Sequence, residues 1–192
     1  MTARSEADPE FLVLYGGIDG GGMLGKGTGG DQKDAAFFAT SSHGTYGATV
    51  GARILFLGAA IEHHQYVGSG LSTWTQISGG LDMNVGLGSD KEKKAGKGGF
   101  FHLGATAGFG VGTGQQVDPP LSNDEVTDKG FLLTGTLGFG KHFNKMVDLG
   151  VSLPVTWGYY FKNGVAANDV SNHYQGIHGE ALLYLRLNLK LL

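Results

Sequence analysis

The sequence predicts an all-β chain, a closed antiparallel up-and-down transmembrane β-barrel of about eight strands. Three observations carry this reading. In one segment after another apolar residues recur at every second position, most plainly in the closing ALLYLRLNLKLL, where Leu183, Leu185, Leu187, Leu189 and Leu191 alternate with Tyr184, Arg186, Asn188 and Lys190. A helix would scatter those leucines around its circumference, whereas a strand sets them on one face. The opposite parity carries Gly, Thr, Ser and Asn with isolated charges, not the dense Lys, Glu, Asp and Arg of a face wetted by solvent. Finally, no stretch approaches the roughly 18 consecutive apolar residues of a transmembrane helix. The densest patch, residues 54–61, is short and interrupted by Gly58.

Taking the segments in order, residues 10–17 form a first, weakly patterned strand. Residues 46–56 set Tyr46, Ala48, Val50, Ala52, Ile54 and Phe56 against Gly47, Thr49, Gly51 and Arg53. Residues 58–67 are the second weak segment, with Ala59 and Ile61 opposed to Glu62 and His64. Residues 77–87 oppose Ile77, Leu81, Met83, Val85 and Leu87 to Ser78, Gly80, Asp82, Asn84 and Gly86, and residues 101–111 repeat the grammar with Phe101, Leu103, Phe109 and Val111 against His102, Thr106 and three glycines. Residues 131–143 and 147–161 continue it, the latter with Leu149, Val151, Leu153, Val155, Trp157 and Tyr159 on the greasy parity. The last strand runs from Ala181. Each segment is near the 9 to 11 residues that cross a bilayer at a tilt.

Composition agrees. Gly accounts for 36 of 192 residues and Pro for 4, which excludes collagen and Pro-rich disorder, and charged residues make up only 16% of the chain. Strand glycines such as Gly104, Gly108, Gly110, Gly138 and Gly140 suit the tight curvature of a small barrel. A net charge of −3 without a concentrated basic face argues against nucleic acid as a partner. With no Cys there is neither a disulfide framework nor a thiol site.

The length fits one domain. Residues 1–9 are expected to be a disordered N-terminal segment, without the apolar region of a secretory signal and so read as the start of a mature exported chain, and residues 10–192 the barrel. Short connections are expected at 56–58 and 144–146 and a longer polar one at 89–99, on the periplasmic side. Long ones are expected at 18–44, 113–130 and 163–176, with a shorter one at 68–72, on the extracellular side, so that both termini are periplasmic.

From about Glu10 to Leu192 this layout, with its closing ALLYLRLNLKLL, resembles the small eight-stranded outer-membrane barrels, the class of the OmpA membrane domain, OmpX and the opacity-type surface proteins. The chain ends on Leu191-Leu192 where that class usually ends on an aromatic residue. The resemblance implies a bacterial outer-membrane location, with outer-membrane lipid and lipopolysaccharide as the surroundings and a surface or periplasmic protein as the expected kind of protein partner. Aromatics near strand ends on the greasy parity, Phe101, Phe131, Phe143, Trp157 and Tyr159, are expected at the membrane interfaces.

Strand parity points Arg53, Glu62, Asp82, Asp148, Glu180, Arg186 and Lys190 into the barrel. Four acids and three bases in a narrow, poorly polarisable lumen must pair or be hydrated, so the expected arrangement is a salt-bridge network that plugs it. Eight strands leave an interior that side chains can fill, which excludes a wide pore but leaves a narrow ion or solute path as the alternative. Glu62, His63 and His64 lie together, and His173 and His178 flank Asp169, Ser171 and Glu180, so a lipid-A-modifying enzyme is a further alternative. His63 and His64 must point to opposite sides of a strand, and no catalytic or metal-ligand spacing is complete; no cofactor is expected. The glycines at 20–22 and 25–30 lack phosphate-loop spacing and are expected in a mobile surface loop. Lys91, Lys93, Lys94 and Lys97 are expected in a solvated turn, and Asp118, Asp124, Glu125 and Asp128 in an acidic outer loop.

Overall fold

Period-two sequence becomes eight strands because each segment can offer apolar side chains to one side and small or paired polar ones to the other. A computed structural model describes residues 12–28, 42–67, 71–89, 97–115, 125–162 and 173–191. The strands are β1 (Leu12–Thr28), β2 (Ser42–Ile54), β3 (Leu57–Val67), β4 (Leu71–Leu87), β5 (Gly98–Gln115), β6 (Glu125–His142), β7 (Val147–Lys162) and β8 (His173–Lys190). Each pairs antiparallel with its sequence neighbours, and β8 returns to β1, so the sheet closes as an all-antiparallel barrel with no free edge. The Leu191 amide donates to the Leu12 carbonyl at 3.0 Å and completes the seam.

Register fixes the size of the barrel. From Leu14 the paired residues run through Ala52, Ala59, Gly79, Ala107, Leu133, Trp157 and Ile177 and return to β1 at Lys26, 26 − 14 = 12 residues further on. With strands about 4.8 Å apart and a rise of about 3.3 Å per residue, that shear over eight strands gives a tilt of about 46° and a backbone radius of about 9 Å. Each residue then advances about 2.3 Å along the axis.

Two expectations are corrected here. β1 does not end at Gly17 but continues to Thr28, so Gly20 to Gly22, Gly25, Lys26 and Thr28 are strand rather than loop. The reason is close approach: a Cβ at Gly21 would lie 1.8 Å from the Ala181 carbonyl oxygen, and one at Gly17 2.8 Å from that of Leu185. Glycines on β1 thus let β8 pack tightly where a side chain could not fit. Likewise Asp128 is not in an acidic loop; it is a buried residue of β6. Several strands run past the expected boundaries at the same end of the barrel, called here the loop end; the hairpins at 55–56 and 143–146 mark the other, the turn end. The 1–9 segment and the loop residues Lys91, Lys93, Lys94, Asp118, Asp124, Asp169 and Ser171 lie outside the described residues.

Among the described residues the buried side chains point into the lumen. Tyr160, Phe100, Met23 and Val13 are the largest of those fully buried. The outer wall is apolar, with Leu137, Leu183, Leu185, Leu187 and Leu189 among many exposed large hydrophobics. A surface like this in water would far exceed the few hundred Å² of apolar patch that soluble monomers expose, whereas lipid matches it.

Candidate functional site

Lumen side chains form two polar tiers and two aromatic ends. In the tier nearer the turns, Arg53 Nη1 lies 3.5 Å from Asp82 Oδ1, His102 Nδ1 approaches the same oxygen at 3.8 Å, and the Tyr15 hydroxyl donates to Asp82 Oδ2 at 3.4 Å. His102 Nδ1 also contacts Asn84 Oδ1 at 3.1 Å. Local sequence makes this convergence fit: Gly58 lies against Asp82, and a Cβ there would come 2.8 Å from the Asp82 Cβ. The Arg186 guanidinium lies over the rings of Tyr15 at 4.5 Å and Tyr184 at 5.3 Å, a cation–π arrangement worth more in a desolvated site than at a surface. Below it, Asp148 accepts from Asn188 Nδ2 at 2.8 Å and pairs with His142 Nδ1. The His142 ring stacks on Phe100 at 4.3 Å.

The tier nearer the loop end is built on residues whose partners are far apart in sequence. His64 Nε2 meets Asp19 Oδ1 at 2.9 Å. Register explains the meeting, because Gly47 stands opposite Asp19 on one side and His64 on the other, and the imidazole lies across it. Gln76 Nε2 donates to Glu62 Oε2 at 2.8 Å while its Oε1 accepts from Trp74 Nε1 at 3.0 Å. Glu180 faces His178 Nε2 at 3.7 Å. Above this tier Trp74 and Tyr160 meet edge to face, ring centroids 5.7 Å apart, with Leu132 and Tyr66 packed around them. A cavity of about 150 Å³ lies inside the barrel, its wall including Thr106, Thr134, Thr136 and Thr156.

Six of the seven charges singled out from parity, Arg53, Glu62, Asp82, Asp148, Glu180 and Arg186, are inside, but they do not form one cluster. Lys190 shares their parity and is exposed at the end of β8, because the strand runs out there before the lumen closes over it. Sequence reasoning put His64 and His102 on the inner parity and His178 beside Glu180 but left the histidines out of the charge network: His64, His102, His142 and His178 each face a carboxylate, and Asp19 lay in a segment read as loop. Extending the β1 alternation past Gly17 would have found Asp19. His63 points outward, 2.7 Å from Thr75 Oγ1, so the adjacent His63 and His64 share no site.

On the outer wall Phe101 and Phe143 stand toward the turn end, and Phe131, Trp157 and Tyr159 toward the loop end. Phe131 contacts Phe109 and Phe161 at centroid distances of 5.4 and 5.9 Å, and Phe161 contacts Tyr159 at 5.1 Å. Phe109 and Phe161 therefore belong to the same aromatic band, although neither was among the residues expected there.

A closed eight-stranded antiparallel barrel with an oily wall and a packed polar interior has the fold of the small outer-membrane barrels. Among solved structures the chain is similar to the Neisserial surface protein A (NspA), at 13% identity and a TM-score of 0.60, over 93% of this chain and 97% of that one. No family model and no curated protein matches the chain.

Proposed function

We propose that the chain is a non-enzymatic outer-membrane barrel whose lumen is plugged and whose role is structural or lies in binding at the surface through its loops. The observation that supports this best is the crowding of the lumen: charged and polar side chains pair across it in two tiers, and bulky aromatics stand at either end, Phe100 at the turn end and Trp74 with Tyr160 at the loop end. Pairing across the lumen braces the wall, and a solute crossing it would have to displace these partners. The loop end faces outward in this reading and the turns and both termini face the periplasm, since the long connections at 29–41, 116–124 and 163–172 all leave from one end. That end meets lipopolysaccharide and outside proteins; NspA, similar in fold, is named as a surface protein.

Planar-bilayer recording of the purified protein tests the plug. The expected result is no discrete conductance, and appearance of steps when Trp74 and Tyr160 are both replaced by Ala. Regular steps from the unaltered protein would favour the narrow channel. Mass spectrometry of lipid A from cells with and without the protein tests for enzyme activity, the expected spectra being identical. Protease added to intact cells should cut within 116–124 and spare the 143–146 turn; the reverse pattern would invert the orientation.

A further inference from the structure

The β2–β3 hairpin is unlike its neighbours at both ends. Its tip is the two-residue turn Leu55-Phe56, flanked by Ile54 and Leu57, and these four side chains are 47, 48, 51 and 57% exposed with Leu55, Phe56 and Leu57 following Ile54 in sequence. An unbroken apolar run at a turn is the reverse of the polar chemistry a solvated turn adopts. Leu55 also sits at φ 55°, a left-handed conformation at the first central position of the turn, which Gly or Asn would take at lower energy. Retaining Leu there in spite of the strain points to surroundings that reward an apolar side chain.

The backbone of the turn is prepared for the same surroundings, because the Phe56 carbonyl oxygen accepts from the Asp82 amide of β4 at 2.8 Å. Without water, each such group must find a partner within the protein.

Height points the same way. On the outer row of β3 the apolar stretch Leu57, Ala59 and Ile61 is interrupted by His63 and Gln65, which bond to Thr75 and to Tyr46 respectively, before Val67 resumes it. His63 is six residues above Leu57 (63 − 57 = 6), or about 14 Å along the axis, against an apolar band of about 25 Å in barrels of this kind. On β7 the apolar row runs from Val147 to Trp157, ten residues (157 − 147 = 10) or about 23 Å, which spans the band. If the polar row of β3 and β4 lies at the membrane interface on the loop side, Leu57 ends about 11 Å (25 − 14) short of the opposite interface.

We propose that the Ile54–Leu57 tip is buried among the acyl chains of the turn-side leaflet, and that the barrel is tilted in the bilayer so that the β2–β3 side rides toward the loop side. The partner of this surface is lipid, to which it is continuous through Leu57, Ala59 and Ile61. The inference rests on the membrane reading given above and adds an unequal insertion depth around the barrel.

The chain has no Cys, so single Cys variants can carry an environment-sensitive NBD fluorophore. Leu55→Cys, Leu183→Cys on the outer face of β8 and Lys145→Cys in the β6–β7 turn are labelled, reconstituted in phosphatidylcholine vesicles, and probed with acyl-brominated lipid and with aqueous iodide. The expected result is that the label at 55 matches that at 183: blue-shifted, quenched by brominated chains and protected from iodide. A label at 55 that is iodide-quenched like the one at 145 overturns the proposal, as does protection that vanishes on dilution to one protein per vesicle, which would make a second copy the occupant. If the label at 183 is also iodide-accessible, the membrane reading itself fails. A second variant, Leu55→Asn, separates strain from environment: in vesicles its urea midpoint should fall, whereas a midpoint that is unchanged or higher means that the tip sits in water.

Discussion

Trp74 lies across β5 at the loop end of the lumen, where Gly110 and Gly112 leave no side chain to obstruct it. A Cβ placed at Gly110 would sit 2.2 Å from Trp74 Cζ2, 2.4 Å from Cε2 and 2.6 Å from Nε1. Ordinary carbon contacts are about 3.5–4.0 Å, so Gly110→Ala must drive the indole back by more than 1 Å. The shift disturbs its fixed contacts, since Trp74 is 4% exposed, packs on Tyr160 and donates to Gln76. Overpacking costs about 1–3 kcal/mol and a displaced hydrogen bond about 1 kcal/mol more, so Gly110→Ala is expected to destabilise the barrel by about 2–4 kcal/mol. Trp74→Ala alone is expected to cost about 3–5 kcal/mol. With the indole gone the closest clashes of the added methyl disappear, and Gly110→Ala in that background should cost under about 0.5 kcal/mol. Urea titration in lipid vesicles, with the heat-sensitive shift of the folded band on a gel as the measure of folding, gives all three values. An equal penalty for Gly110→Ala in both backgrounds, or no penalty in the unaltered protein, refutes the reasoning.

Other perturbations follow from the two faces of the wall. Leu183→Arg puts a cation at the middle of the β8 apolar row and should cost about 2–4 kcal/mol of stability in vesicles, read by the same titration. Arg53→Met leaves Asp82 inside the lumen without its guanidinium and is expected to cost about 3–5 kcal/mol, most of it recovered when Asp82→Leu is added, because the double variant buries no unpaired charge. A double variant as unstable as the single would show that the pair stabilises through more than mutual neutralisation.

Much of this barrel was legible in its sequence, and the legible part has one cause. Where side chains of unequal polarity alternate, as in β8 from Ala181, the pattern declares strand, face and direction together. The rest was hidden where glycine erases the alternation: from Gly16 to Gly22 of β1 only Ile18 and Asp19 carry side chains, so the strand read as loop and Asp19 with it. Partners in the lumen were hidden for a different reason. Asp19 and His64 meet only because two registers both pass through Gly47, and local sequence does not encode a register summed over three strands. Asp82 could be assigned to the interior by parity alone, but its contacts with Arg53, His102 and Tyr15 depend on shear and on the space left at Gly58. The glycines are thus the mould of the lumen: Gly110 and Gly112 under Trp74, Gly140 under Phe100 and Gly150 under Tyr184 each lie where a large inward side chain crosses the next strand.

The central claim is that the leucine parity of β8 faces lipid and the opposite parity faces a packed interior. A nitroxide scan of single Cys variants from 181 to 189 in vesicles measures this directly, through collision rates with oxygen, which concentrates in lipid, and with a water-soluble nickel chelate. High oxygen and low nickel accessibility is expected at 181, 183, 185, 187 and 189, with little access of either at 182, 184, 186 and 188. Nickel reaching the leucine positions freely, or an accessibility profile with no period of two, would contradict it.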